Sequence, residues 1–389
     1  MSSAIEKRTN GNGKLTHSST QASQAKQTNT TGTDVSALPN EVSSFRFISA
    51  LRGDARRLEL QPNSIDLVAT SPPYWRKRDY SFPGQIGQER TPEQYVESIL
   101  TALREWRRVL RPTGSVFLNL GDTYHQCSLV EIPSMVMIAA RADGWLIRNR
   151  IIWAKGNGTP DPVKNRLASR HEFIIHMTPR RRYYYDLFGF AEKFGNGSNP
   201  GDVWVINPKK TKSQHLAPYP DEVVERILTL ACPLEVCVAC GIPRQRVTRR
   251  TSKLNPERQQ ARRAMKIARE AGLTQQHIAA IQATGISDAG KALYFQNGTS
   301  SAKVRKLATE AKKVLGGYFR EFTFARRETV RWTRCKCRRG FMPGVVLDPF
   351  MGTGTTLRVA ARMGYSAIGV DLSQGTKREF TSVAKTVFL

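Results

Sequence analysis

The sequence predicts an α/β fold with a largely parallel sheet, interrupted by a mostly helical, strongly basic insert. Two observations carry the sheet. Short apolar runs alternate with helical stretches between Phe45 and about Asp186, and the same alternation returns after about residue 340. A third observation sets the insert apart. Residues 241–340 hold 24 Lys and Arg against 6 Asp and Glu, so +18 of the chain's net +28 lies there.

The 389 residues suffice for one large domain or two ordinary ones. A hydrophobic share of 40%, with 29 glycines besides, allows a sizeable core and excludes a wholly disordered chain. No run of about 18 apolar residues and no hydrophobic leader is present, so neither a membrane span nor a signal peptide is expected. Six cysteines in this length do not make a secreted disulfide scaffold, and a reducing cytoplasm is the expected setting. The net +28 points to a polyanionic partner, most often nucleic acid. A basic protein without such a partner, or one held at an anionic membrane, is the alternative.

Residues 1–44 are rich in Ser, Thr, Gln, Asn, Gly and Lys and lack aromatics, so a disordered tail is expected. Strands are expected at Ile65–Ala69, Ser115–Leu120, Ile147–Trp153 and Phe173–His176, where apolar and β-branched residues cluster. Thr91-Pro92-Glu93 supplies an N-cap, a proline at the first helical position and an early acid. Tyr95, Ile99, Leu103, Trp106 and Leu110 then form an apolar stripe facing the core. In the insert, Glu257–Gly272 and Ser301–Leu315 read as helices, and Leu273–Ala289 as two short helices with a turn at Gly285. Beyond it, Val345–Leu347 is a strand, Thr355–Met363 a helix and Ala367–Val370 a strand. Cys127 and Cys232 are expected in the core.

The first chemical motif is Asp348-Pro-Phe350-Met-Gly352-Thr-Gly354-Thr355-Thr. An apolar strand runs into a glycine-rich turn and then a helix, the design of a nucleotide-type site. Nineteen residues after Gly352, the next strand ends in Asp371, placed to accept hydrogen bonds from ribose hydroxyls. No Walker lysine follows, and Asp348 would repel a pyrophosphate. The acid suits a cofactor with a cationic group, and S-adenosylmethionine carries an ammonium and a sulfonium. An ordinary tight strand-to-helix turn is the alternative.

The second motif is Thr70-Ser71-Pro72-Pro73-Tyr74-Trp75, at the end of a buried strand. Two prolines force an extended turn and remove two N–H donors, so acceptors dominate. The Ser71 hydroxyl and the Pro72 carbonyl can face one point, beside the flat ring of Tyr74. Two acceptors and a stacking ring are what the exocyclic amine of a flipped base requires. Accepting its hydrogens localises the nitrogen lone pair for in-line attack on a methyl sulfonium, with positioning supplying much of the rate. A rigid surface turn is the alternative for this motif taken alone.

Together the two motifs resemble the amino-DNA methyltransferases of the DNA methylase N-4/N-6 family. There Asp/Asn/Ser-Pro-Pro-Tyr is catalytic and Asp-Pro-Phe-x-Gly-x-Gly-Thr-Thr binds S-adenosylmethionine. Catalytic motif first and cofactor motif last is the permuted order called the β group. Leu51-Arg-Gly-Asp54 resembles the family's cofactor motif whose acid contacts the adenine amine. Asn149–Asn157, Arg170-His-Glu172 and Arg182–Asp186 resemble the segments after the catalytic strand, and His215-Leu-Ala-Pro-Tyr219-Pro220 the motif that closes over the cofactor. The resemblance covers most of 45–240 and 341–389 and excludes the tail and the insert. It implies a Rossmann-like S-adenosylmethionine-dependent methyltransferase sheet in circularly permuted motif order. It places Ser71, Pro72, Pro73 and Tyr74 in catalysis, and Asp54, Tyr219, Asp348, Phe350, Gly352, Gly354, Thr355 and Asp371 at the cofactor. Serine at the first motif position goes mainly with N4-cytosine methylation, and Asp or Asn with N6-adenine. A C5-cytosine enzyme is disfavoured, because its nucleophilic Pro-Cys does not occur here.

Cys237-Val-Ala-Cys240 and Cys335-Lys-Cys337 flank the insert. Two close thiolate pairs suit a tetrahedral structural zinc that closes the base of a long loop. The second pair is one residue shorter than usual, and unligated cysteines are the alternative. The insert is the candidate target recognition region, because the stretch Leu187–Asp202 is short. Arg262, Arg263, Lys266 and Arg269 are its candidate DNA contacts, with a solvated charged face as the alternative.

The organisation expected is thus a tail (1–44), a catalytic half (45–240), a zinc-tied basic insert (241–340) and a cofactor half (341–389). The expected activity is site-specific N4-cytosine methylation of double-stranded DNA, with a cognate restriction endonuclease as a candidate partner. N6-adenine methylation, RNA or protein-amide methylation, and a non-catalytic DNA-binding regulator are the rivals.

Overall fold

A computed structural model describes residues 46–157, 162–208, 220–285 and 301–373. The expected tail, the segment containing Tyr219, and the second of the two short helices expected before Ala289 lie outside the described residues.

Eight strands form the central sheet: β1 (Ile48–Arg52), β2 (Ile65–Thr70), β3 (Leu110–Leu120), β4 (Leu146–Ala154), β5 (His171–Thr178), β6 (Val203–Val205), β7 (Val345–Asp348) and β8 (Ser366–Asp371). Their order is β1-β8-β7-β2-β3-β5-β4-β6. Neighbours are parallel throughout, except that β5 runs against both β3 and β4. The exception follows from the sequence between Ala154 and His171, which has no helical pattern. Without a crossover helix, consecutive strands pair antiparallel.

The sheet is buried on both faces, which is why its central strands are almost continuously apolar. Alternate residues of β3 and β7 point to opposite cores. Val116, Leu118 and Val345 join one, and Phe117 and Val346 the other. Helices α1 (Pro92–Val109) and α2 (Ile132–Ala142) cover the first face. Helices α3 (Leu187–Phe194), α4 (Asp221–Ala231) and α9 (Thr355–Arg362) cover the second. Thr91 caps α1 as expected, accepting from Gln94 N at 3.3 Å, and Tyr95, Ile99, Leu103 and Trp106 are fully buried. Leu110 ends the helix instead of continuing its stripe. Its backbone is extended and it opens β3, five residues before the expected start.

Helix α1 carries the chain from β2 to β3, and α9 carries it from β7 to β8 in the opposite direction along the sheet. The order therefore reverses between β7 and β2. Ligand crevices of open α/β sheets lie at such a reversal, beyond the carboxyl ends of the strands.

The insert leaves after α4. Val236–Cys237 pairs with Phe341–Met342, and an antiparallel stem follows, Arg246–Arg250 against Arg327–Trp332. Beyond it α5 (Gln259–Glu270), α6 (Gln275–Thr284), α7 (Ala302–Leu315) and α8 (Phe319–Thr323) enclose their own small core of Leu254, Ala261, Ala264, Ile278, Ile281, Ala311, Leu315 and Phe322. Arg246 docks the stem on the main domain through Asp186, with its Nη2 2.8 Å from Oδ2. Cys232 is buried as expected, but Cys127 is exposed. Gln126 and Cys127, both at positive φ, form the two-residue turn of a short hairpin, which has no core to enter.

Candidate active site

The two motifs begin 278 residues apart in sequence and leave the carboxyl ends of neighbouring strands. Asp348 joins them. Its Oδ1 accepts from Thr70 Oγ1 at 2.6 Å and from Phe350 N at 3.2 Å, and its Oδ2 accepts from Thr356 Oγ1. The side chain is 1% exposed, and burial pushes its carboxyl up to about 6 against the pull of these donors. Asp348 thus ties β2, β7 and α9 together from behind the glycine turn, and its carboxylate is not presented to the crevice.

The turn itself opens outward. Gly352 and Gly354 take left-handed backbone angles, φ +47° and +75°, and Gly354 caps α9. A side chain at Gly352 would meet no atom within 4 Å, so this is open space beside the chain. Asp371, at the tip of β8, accepts from Gly352 N at 3.0 Å and from Ser373 N at 2.9 Å. Among the described residues, the buried hydroxyl of Thr355 at the start of α9 has no partner. Phe350 packs edge-on against Trp106. Two residues beyond β1, Asp54 is held by Arg56 at 2.6 Å. Burial raises its pKa, but the hydrogen bonds and charge of Arg56 bring it below the ordinary value. An acid at the tip of β8, a second acid just beyond β1, a glycine cradle and, among the described residues, an unpartnered hydroxyl at a helix N-terminus fit an adenosyl and methionine ligand.

The Ser71–Tyr74 turn is braced from below. Tyr95 Oη donates to the Pro73 carbonyl at 3.0 Å, Trp75 Nε1 to Glu89 O at 3.0 Å, and Arg76 N to Gly87 O at 2.7 Å. Gly121 lets the Tyr74 ring approach the chain, since a Cβ there would stand 2.5 Å from Tyr74 Cε2.

Ser71 and Tyr74 belong to a wider polar network. Tyr74 Oη donates to Glu172 Oε2 at 2.5 Å. Asn119 Nδ2 lies 2.8 Å from both Tyr74 Oη and Glu172 Oε2 and 3.3 Å from Ser71 Oγ, and Lys155 pairs with Glu172 Oε1. Ser71 Oγ is 3.3 Å from Tyr74 Oη. Burial, followed by the Glu172 charge, pushes the Tyr74 phenol well above its usual range, so it stays protonated. The hydrogen bonds then have a direction. Tyr74 donates to Glu172, Ser71 can donate to Tyr74, and a Ser71 lone pair remains for an incoming N–H.

Asn119, Lys155 and Glu172 were not singled out by sequence reasoning. Lys155 and Glu172 lie in segments with a family resemblance, but nothing marked their side chains. A signal for Asn119 existed, as it is a lone amide within the apolar run of β3.

The four insert cysteines converge. The sulfurs of Cys237, Cys240, Cys335 and Cys337 lie within 4.8 Å of one another. Arg262, Arg263, Lys266 and Arg269 are all exposed on α5, while Ala261 and Ala264 face the insert core. Arg263 leans over the Tyr318 ring, and Lys266 is 3.8 Å from Glu270.

A glycine turn at the reversal point, with an acid at the following strand tip and a proline-rich turn beside it, fits an S-adenosylmethionine-dependent methyltransferase. The profile of the DNA methylase family matches residues 65–238 and 341–382, on both sides of the insert, and the chain belongs to that family. It is 31% identical over 205 residues to the type II methyltransferase M.Cfr9I of Citrobacter freundii, covering 44% of this chain and 68% of the relative. It is 30% identical over 224 residues to M.SmaI of Serratia marcescens, covering 49% and 76%. The solved PvuII DNA methyltransferase, described as cytosine-N4-specific, aligns at 15% identity and a TM-score of 0.45, covering 88% of each chain. The protein is a DNA methyltransferase of the N4/N6 class. No described helix is long and apolar enough to cross a membrane.

Proposed function

We propose that the chain methylates the exocyclic N4 amine of cytosine within a specific sequence of double-stranded DNA. The observation that carries this reading is Ser71 at the first position of the catalytic motif, held as a hydrogen-bond acceptor by the Ser71–Tyr74–Glu172 relay. An extruded cytosine stacks on Tyr74 and gives its two amine hydrogens to Ser71 Oγ and the Pro72 carbonyl. Pro73 keeps that turn rigid. Bound S-adenosylmethionine supplies an electrophilic methyl group. Asp371 would hold its ribose, Asp54 its adenine, and Gly352, Gly354, Phe350 and Thr355 its methionine end, and Tyr219, outside the described residues, is assigned to the same site. Asp348 acts by fixing the two loops relative to each other. Transfer would form the nitrogen–methyl bond as the carbon–sulfur bond breaks, and the surplus N–H proton would pass to solvent water.

The insert carries target recognition, with Arg262, Arg263, Lys266 and Arg269 on phosphates, and the four cysteines hold one structural zinc. Sulfurs around a zinc at about 2.3 Å stand roughly 3.8 Å apart, which the observed cluster can accommodate. The type II naming of the relatives supports a restriction–modification setting with a cognate endonuclease.

The test is transfer from labelled S-adenosylmethionine to unmethylated genomic DNA, followed by digestion to nucleosides and mass spectrometry. N4-methylcytosine is the expected product. N6-methyladenine would reassign the base and leave the mechanism standing. No labelled base from a protein that binds the cofactor would turn the reading toward RNA, protein or a non-catalytic regulator.

A further inference from the structure

Within the insert, α5 and α6 are joined by only four residues, Ala271–Thr274. Gly272 makes the turn at φ +63°. Its N–H donates to Arg269 O at 3.1 Å, and Leu273 N donates to Ala268 O at 2.9 Å, which closes the end of α5. The Leu273 side chain packs against the insert core. Thr274 then caps α6 in a reciprocal box with His277. Two helices joined by a short glycine-bearing turn, both resting on one apolar core, follow the connection of a helix–turn–helix unit. In such units the second helix enters the major groove of duplex DNA, with its N-terminal residues at the base edges.

The faces of α6 agree with that use. Ile278, Ala280 and Ile281 are buried, and Gln282 is turned inward to Thr251 O at 2.8 Å and Phe322 O at 3.2 Å. Gln275, Gln276 and Ala279 are exposed, and neither Gln275 nor Gln276 has a side-chain partner among the described residues. A glutamine amide offers one donor and one acceptor, matching N6 and N7 of adenine in the major groove. Ala279, one turn on, adds no bulk to hold the helix away. Exposed cations flank this face in sequence: Arg262, Lys266 and Arg269 on α5, and Lys303, Arg305 and Lys306 on α7.

We propose that α5 and α6 form a helix–turn–helix reading head whose Gln275 and Gln276 contact base edges in the major groove, giving the target sequence an adenine-containing half outside the methylated base. The inference rests on the reading of the substrate as double-stranded DNA.

The test is selection of bound duplexes from a randomised library by the full-length chain, alongside the double variant Gln275→Ala/Gln276→Ala. Both residues are solvent-facing, and unchanged thermal melting and S-adenosylmethionine affinity would report an intact fold. The parent should enrich one motif, and the variant should lose about 5- to 150-fold of discrimination per lost base contact while keeping its non-specific affinity. Gln275→Arg should shift preference at one position from adenine to guanine. The same motif enriched by parent and double variant, or no motif enriched by the parent, would overturn the proposal. Methylation without altered motif selection would sink the reading head alone. Altered selection by a parent that methylates no DNA would sink the proposed activity alone.

Discussion

Ser71 Oγ keeps a lone pair open to a target amine, and a Tyr74 acceptor turns the serine's own hydroxyl hydrogen away from that amine. Tyr74 takes that hydroxyl, and Glu172 takes the phenol. Ser71→Ala should therefore lower kcat by about a hundredfold or more, the scale of removing one positioned transition-state contact, with an unchanged Kd for S-adenosylmethionine by calorimetry. Glu172→Gln puts an amide where a carboxylate stood, and a donating amide reverses the relay. Its kcat should fall while KM for DNA and cofactor affinity hold; a variant with parental kcat would remove Glu172 from the mechanism. The motif residues were legible because each motif is continuous in sequence and chemically unusual. Asn119, Lys155 and Glu172 were not, because they meet only when β2, β3, β5 and the end of β4 lie side by side. Strand alternation tells which residues share a face, but not that one face ends at the catalytic turn.

At the scale of elements, β2 and β7 are joined a second time beneath the site. Asp66 Oδ2 accepts from Val345 N at 2.9 Å, and Arg111 lies 3.4 Å from Oδ1. Burial pushes the Asp66 carboxyl up to about 6, against the Arg111 charge and the Val345 N–H. The unfolded carboxyl titrates near 4, so the folded state binds the extra proton between about pH 4 and 6. The stability this contributes is fully present below that window and is lost as pH rises through 6. Urea unfolding at pH 7 and pH 5 should show the parent gaining about 1 kcal/mol at the lower pH relative to D66N.

The cysteine cluster makes an element-scale prediction too. Purified protein should carry about one zinc per chain, Cys237→Ser should lose it, and a cobalt-loaded protein should show thiolate charge-transfer bands. A metal-free parent with parental melting would refute the site. The cysteine spacing was legible in sequence, and so were most helices. The reversed β5 and the early start of β3 were not, because they depend on which strand lies alongside.

For the whole molecule, the charge reading becomes a salt dependence. DNA affinity should fall steeply between 50 and 200 mM salt, by an order of magnitude for every few phosphates neutralised. Arg262→Ala should weaken binding to all sequences alike and reduce the slope of log K against log salt by about one. A slope near zero in the parent would remove the electrostatic interface. The overall α/β class was legible because alternation and helix caps are local signals. The strand order needed the reversal between β7 and β2, which brings together motifs from opposite ends of the chain.

The insert departs and returns through paired segments, Val236–Cys237 against Phe341–Met342 and then the stem. The strand order of the sheet is the same whether that loop is long or short, so the catalytic crevice is topologically indifferent to what the stem carries. Such an arrangement behaves as a cassette. With recognition carried by the insert, as proposed above, one head is exchangeable for another by recombination at the two stem strands, changing which sequence is marked while leaving the chemistry intact. An enzyme built this way can diversify its target faster than its active site drifts, an advantage wherever invading DNA is selected to lack the marked sequence.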